Sequence, residues 1–257
     1  MQLNRNVLKS RFRAGQMPCE EDFADLIDSM VNVEDDGFEK TAENGLEVSQ
    51  LTDSGKLMSF YENATEGTPL WQMELRRNCS DVDSSYLHVV APTMKGASSV
   101  LTLSDIGAVG VGNRHPESEL DVNGTVSCTG RIGKENEKLK VVADGKWYDI
   151  TEEMTGCVAF EVVAGAGDVD GEGRFALTHA IALNVFHGKP SISKTQSYCG
   201  GRGSRIDIRW TKGCEKYSYK LQLRTRCAYK SKVAVRYKMT KLWFDNMMEG
   251  SLAGDDI

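Results

Sequence analysis

The chain has 257 residues, 40% of them hydrophobic and 26% charged, with a net charge of -6 at pH 7; that length suits one or two domains. No run approaches the ~20 apolar residues of a bilayer-spanning helix, and Met1-Gln2-Leu3-Asn4-Arg5-Asn6 lacks the apolar stretch of a secretory signal, so a membrane-spanning protein, a Sec-exported protein and a collagen are excluded. The charge is uneven: residues 1–60 hold 6 Lys/Arg against 12 Asp/Glu, whereas residues 200–241 hold 13 against 2.

Pro18, followed by Glu20, Glu21 and Asp22, has the form of a helix start, with acids at the positive end of the helix dipole. Phe23, Leu26, Ile27 and Met30 then fall at i, i+3, i+4 and i+7, one apolar stripe of a helix ending near Asn32. About three turns cannot form a core alone, so the stripe must dock on something else. Residues 1–33 therefore read as an attachment region. In residues 34–96, three short apolar or alternating runs at 57–61, 70–75 and 86–90 are separated by Gly55, Asn63, Gly67, Pro69 and the polar stretch 81–85. They predict short strands in a meander or small sandwich.

Residues 97–133 alternate single apolar side chains with glycine and other small residues: Val109-Gly110-Val111-Gly112, then Leu120-Asp121-Val122-Asn123-Gly124-Thr125-Val126. One chain buries such sparse groups poorly. Several copies wound together do better, because glycine lets backbones approach closely. Val109, Val111, Leu120, Val122 and Val126 are thus the candidate trimerisation residues. Residues 134–154 read as a linker. Residues 155–249 then carry five candidate strands, at 157–164, 174–186, 205–210, 217–226 and 233–244, which suit an antiparallel β-sandwich. Residues 250–257 read as a frayed tail.

The surplus of cations in 200–241 alternates with apolar residues, as in Arg205-Ile206-Asp207-Ile208-Arg209-Trp210. That is the pattern of a strand with one wet face, which weighs against a nucleic-acid surface. Seven cysteines without a Cys-x-x-Cys pair read as reduced thiols packed as small hydrophobes. Asp168, Asp170 and Glu172 open like a calcium loop, but His179 stands where a bidentate Glu is required, so a hairpin turn is expected and no metal. His179 shares a strand face with Leu177 and Ile181 and reads as a hydrogen-bonded core residue. Trp210 and Trp243 also read as core. No nucleophile elbow and no coherent catalytic or cofactor-binding set emerges. In the glycine-rich loop 198–204, Tyr198, Arg202 and the adjacent Arg205 are the candidate binding edge, although the same loop also reads as an ordinary connection.

The Val109-Gly110-Val111-Gly112…Pro116…Leu120-Asp121-Val122-Asn123-Gly124 element resembles a signature of trimeric phage tail fibres and related bacterial adhesins. It departs from that signature at Val111, where Ile is usual, and at Asn113, where Thr is usual. Leu8-Lys9-Ser10-Arg11-Phe12 with Pro18 and residues 23–30 resembles the opening of fibre-like proteins of Bacteroidetes phages and contractile injection systems, and the stretch from Phe160 through His179-Ala180 to Leu242-Trp243-Phe244 is similar to their terminal domain. The resemblance implies a non-enzymatic homotrimer on a tail or baseplate that meets a host-surface receptor or glycan. It would be made in the bacterial cytoplasm and act within a virion or extracellular injection particle. Some such fibres cleave themselves at a Ser-Asp dyad followed by Arg-x-Lys, but neither Ser80-Asp81 nor Ser104-Asp105 is so followed. The fold expected is mainly β: a short N-terminal helix, an intertwined trimeric fibre segment and a C-terminal antiparallel sandwich. The alternative function is a tail-associated polysaccharide depolymerase with its active site between subunits.

Overall fold

The computed structural model describes residues 3–30, 36–63, 67–77, 84–93, 96–168, 173–230 and 233–251. Among the described residues the protein is mainly β, with several sheets and two short α-helices. It divides into two units, residues 1–127 and 128–257. Among the described residues, no helix is long and apolar enough to cross a membrane.

The first unit opens with α1 (Arg5–Arg11), which sequence reading missed, and α2 (Glu20–Asp28), shorter than the predicted helix. Asn4 caps α1 by accepting from the N–H groups of Asn6 and Val7, both at 3.1 Å. Arg11 ties the helices together through Asp22 at 2.9 Å and Asp25 at 2.7 Å, and Phe12 meets Phe23 edge-on at 5.4 Å. A hairpin of β1 (Phe38–Thr41) and β2 (Gly45–Val48) follows. The next six strands are β3 (Lys56–Phe60), β4 (Trp71–Arg77), β5 (Ser85–Thr93), β6 (Gly96–Ser104), β7 (Val109–Val111) and β8 (Leu120–Val122). They form one sheet in sequence order, antiparallel except for the parallel β7–β8 pair.

In the second unit the sequence read as a linker supplies two short strands, β9 (Val141–Val142) and β10 (Tyr148–Asp149). Val141, Ala143 and Ile150 of this segment are buried in the core, so it is an integral part of the fold. Then come β11 (Cys157–Gly167), β12 (Phe175–Val185), β13 (Ser191–Cys199), β14 (Ile206–Lys212), β15 (Tyr219–Thr225) and β16 (Ala234–Lys241). One sheet runs β13-β12-β11-β16-β9 and the other β10-β15-β14, all pairs antiparallel. Val162 and Ala182 of the first sheet and Ile206, Leu221 and Leu223 of the second share one core.

β12 alternates strictly, but in the opposite sense to its side-chain sizes. Ala176, Thr178, Ala180, Ala182 and Asn184 are buried, whereas Phe175, Leu177, Ile181, Leu183 and Val185 are exposed. The cause lies across the core: Trp210 packs on Tyr219 at 5.2 Å and on Phe160 at 6.4 Å, and rings of this size leave room only for small partners. His179 does share the face of Leu177 and Ile181, but that face is the outer one. There it pairs with Glu161 at 3.0 Å, so the core reading of His179 is corrected. The cysteine reading is corrected too: of the six described, only Cys157 is buried. Trp243 is 40% exposed rather than core.

β13, absent from the sequence reading, forms one edge of the larger sheet. Its Lys194 reaches β14, donating to the Ile206 carbonyl at 3.1 Å and to Asp207 at 3.0 Å. Asp168 N–H bonds to the Arg174 carbonyl at 2.9 Å where β11 turns into β12; residues 169–172 of the expected hairpin lie outside the described set. The segment read as tail begins inside a single 3-10 turn (Glu249–Ser251), whose N–H groups at Glu249 and Gly250 are held by Asp245.

Glu153 fastens the turn before β15. It accepts from the N–H of Cys214 at 2.7 Å, that of Glu215 at 3.1 Å, and the Ser218 hydroxyl. The Ser218 hydroxyl first, then the two N–H groups, hold its carboxyl down at about 2, against 4.5 ordinarily. A depressed folded-state pKa stabilises the fold above the ordinary value and loses that effect as pH falls through the folded value. Acid titration of the second unit, followed by fluorescence, is therefore expected to show a loss of stability between about pH 4.5 and 2, and Glu153→Gln to flatten that interval.

Candidate functional site

The register of the six-stranded sheet sorts its side chains by face, because directly paired residues point the same way. One row runs unbroken across all six strands: Met58, Met73, Val89, Leu101, Val111 and Val122. A second runs across five: Leu75, Leu87, Leu103, Val109 and Leu120. None of these eleven side chains is buried, and Leu120 is 64% exposed. The intervening row, Glu74, His88, Thr102, Gly110 and Asp121, lies on the opposite face. There the polar groups are the buried ones. Glu74 is 5% exposed, His88 3% and Thr102 0%. His88 Nδ1 and Thr102 Oγ1 are hydrogen-bonded at 3.0 Å, and Ser99 Oγ joins Thr102 Oγ1 at the same distance. Tyr86 stacks on His88, and His115 meets Tyr86 edge-on. Burial first, then the charge of Arg114, holds the His88 imidazole below its ordinary pKa and so neutral.

The glycine motif has a local cause in this geometry. A Cβ at Gly110 would collide with the Asn113 carbonyl, and Gly112 adopts φ +69°. Asp121 then fastens the connecting loop, accepting from the Asn113 side chain at 2.9 Å and the Glu117 N–H at 3.1 Å. Of the five candidate trimerisation residues, Val109 pairs with Leu120 and Val111 with Val122. Val126 lies outside any strand and is 64% exposed. Among the described residues of the first unit, the only buried hydrophobic side chains are Val90 and Ala108.

On the attachment helix, Phe23, Ile27 and Met30 are more than half exposed and Leu26 is half-buried, so the predicted stripe is present and open. Met30 lies just beyond the end of α2. The candidate binding edge is rearranged. Tyr198 belongs to β13, not to a loop, and packs against the core. Arg205 donates to its hydroxyl at 2.7 Å and covers its ring at 4.5 Å, so these two groups hold each other against the domain. Arg202 stands exposed on a 3-10 turn (Arg202–Ser204). Sequence reading missed Trp147, which two arginines flank on the smaller sheet of the second unit. A tryptophan in Asp144-Gly145-Lys146-Trp147, a stretch otherwise short of large apolar groups, was the available signal. Compared with known proteins, the chain matches no protein-family model and no curated protein.

Proposed function

We propose that the chain is a non-enzymatic structural protein of a phage tail or contractile injection particle, fibre-like or baseplate-associated, working as a homotrimer. The single observation that carries this reading is the pair of unburied apolar rows spanning the six-stranded sheet. The face this sheet buries is largely polar and supplies little hydrophobic stabilisation, and soluble monomers rarely expose contiguous apolar patches larger than a few hundred Å². A second copy would cover such a face as a sandwich, whereas three copies would close it around an axis as a prism. The resemblance of the glycine motif to trimeric fibres favours three.

In this reading the open stripe of α2 docks on a tail or baseplate protein, and the second unit meets a host-surface receptor or glycan. Threefold presentation then makes the second and third contacts intramolecular, so weak sites hold collectively. Size-exclusion chromatography with light scattering tests the assembly. Three copies of 28.4 kDa give about 85 kDa, and a stable 28.4 kDa species at micromolar concentration would overturn the reading.

A further inference from the structure

The outward face of the β10–β15–β14 sheet is charged and prearranged. Asp207 pairs directly with Arg224 across two strands, and Arg209 with Gln222. The Trp147 ring lies 4.1 Å from the Arg209 guanidinium and 4.4 Å from that of Arg224. Asp149 accepts from Gln222 at 2.7 Å, and Gln222 in turn accepts from Arg209 Nε at 2.9 Å. Arg209 is thus fixed twice, by its stacked face and by its Nε. Its terminal edge, the two Nη groups, has the planar fork that matches a carboxylate or sulfate.

The neighbouring cations each have a carboxylate partner: Lys220 pairs with Asp149 at 3.2 Å, while Lys194 at 3.0 Å, Arg226 at 3.1 Å and Arg224 at 3.6 Å share Asp207, which leaves the face positive on balance. Arg209 is different: it is exposed, and among the described residues it pairs with no carboxylate. Holding a guanidinium rigid in advance lowers the entropy lost when an anion arrives.

We infer that this face is a platform for an acidic polysaccharide, with Arg209 gripping a sugar carboxylate or sulfate. The inference deepens the receptor-binding part of the reading above and rests on it for its setting. Thr211 adds a neutral partner for a hydroxyl group on the same face. A nucleic acid fits less well. The Trp147 ring already carries the two guanidiniums, and base stacking needs an open aromatic face. Asp149 and Asp207, interleaved among the cations, would also repel a continuous phosphate chain.

The test uses the full chain, with polygalacturonate, heparin, neutral dextran and duplex DNA as probes in a surface-binding assay at low and physiological salt. Binding is expected to polygalacturonate or heparin but not to dextran, the stronger of the two showing whether carboxylate or sulfate is preferred. Arg209→Ala should weaken it about tenfold or more. Arg209→Lys should lose nearly as much, because an ammonium keeps the charge but lacks the fork. Both side chains stand at an exposed position, and an unchanged thermal midpoint identifies the loss as one of binding. Full binding by either variant, equal binding of dextran, or tighter binding of DNA would overturn the inference. Light scattering on the same samples separates it from the assembly reading: a trimer that ignores both polyanions sinks only this inference, and a monomer that binds them sinks only the other.

Discussion

A lysine at Leu103 is expected to drop the solution mass from about 85 kDa to the 28.4 kDa of one chain. Leu103 sits in the second apolar row between Leu87 and Val109 and is 40% exposed in the single chain. A lone ammonium there remains hydrated, so the chain itself tolerates the change. In a closed assembly the same group must leave water without a partner, which costs several kcal/mol per copy, and three copies multiply that cost. Glu119→Lys, at an exposed position outside the rows, is the matched control and should leave the mass unchanged. A Leu103→Lys variant that still runs at the full mass would show that the copies meet elsewhere.

The second large effect is expected in the other unit, at Leu221. This side chain is 0% exposed in the core shared by the two sheets. Leu221→Ala removes its apolar volume and leaves a cavity that the surrounding rings close only in part, at about 2–5 kcal/mol. Domains of this kind hold roughly 5–15 kcal/mol in all. A fall of about 10 °C in the thermal midpoint follows, read by tryptophan fluorescence because Trp210 lies in the same core. A midpoint within a degree or two of the parent would mean that the shared core contributes little to the stability of the unit.

How much of this was legible in the sequence depended on the kind of signal. α2 declared itself by spacing, since Phe23, Leu26, Ile27 and Met30 describe one side of a helix whatever surrounds it. β14, β15 and β16 were equally plain, because their large apolar residues alternate and point inward. β12 alternates just as well, yet period alone does not say which face is wet. Size suggested Leu177 and Ile181 for the interior, and the rings of Trp210 and Tyr219 had already taken that space. β13 escaped notice because Ser191, Ser193, Thr195 and Ser197 on its outer face give no apolar rhythm. β9 and β10, two residues each, are too short for any periodicity to register.

The candidate assembly surface was half legible. The motif drew attention to Val109, Val111, Leu120 and Val122, but their partners Leu101 and Leu103, and the rows reaching back to Met58 and Leu75, follow only from strand register. Trp147 could not have been placed beside Arg209 and Arg224 at all, since more than sixty positions of chain separate them.

Among the described residues, β13 leaves one rim of its sheet without a neighbouring strand, the kind of edge at which β proteins grow into aggregates. Lys194 guards it from within. Slipping this strand by a single position would turn its amine away from Ile206 and Asp207 and bring Ser193 or Thr195 to the position it held. An intruding strand that drags β13 out of line must break both bonds, so the inward lysine works against sideways growth into a continuous ribbon.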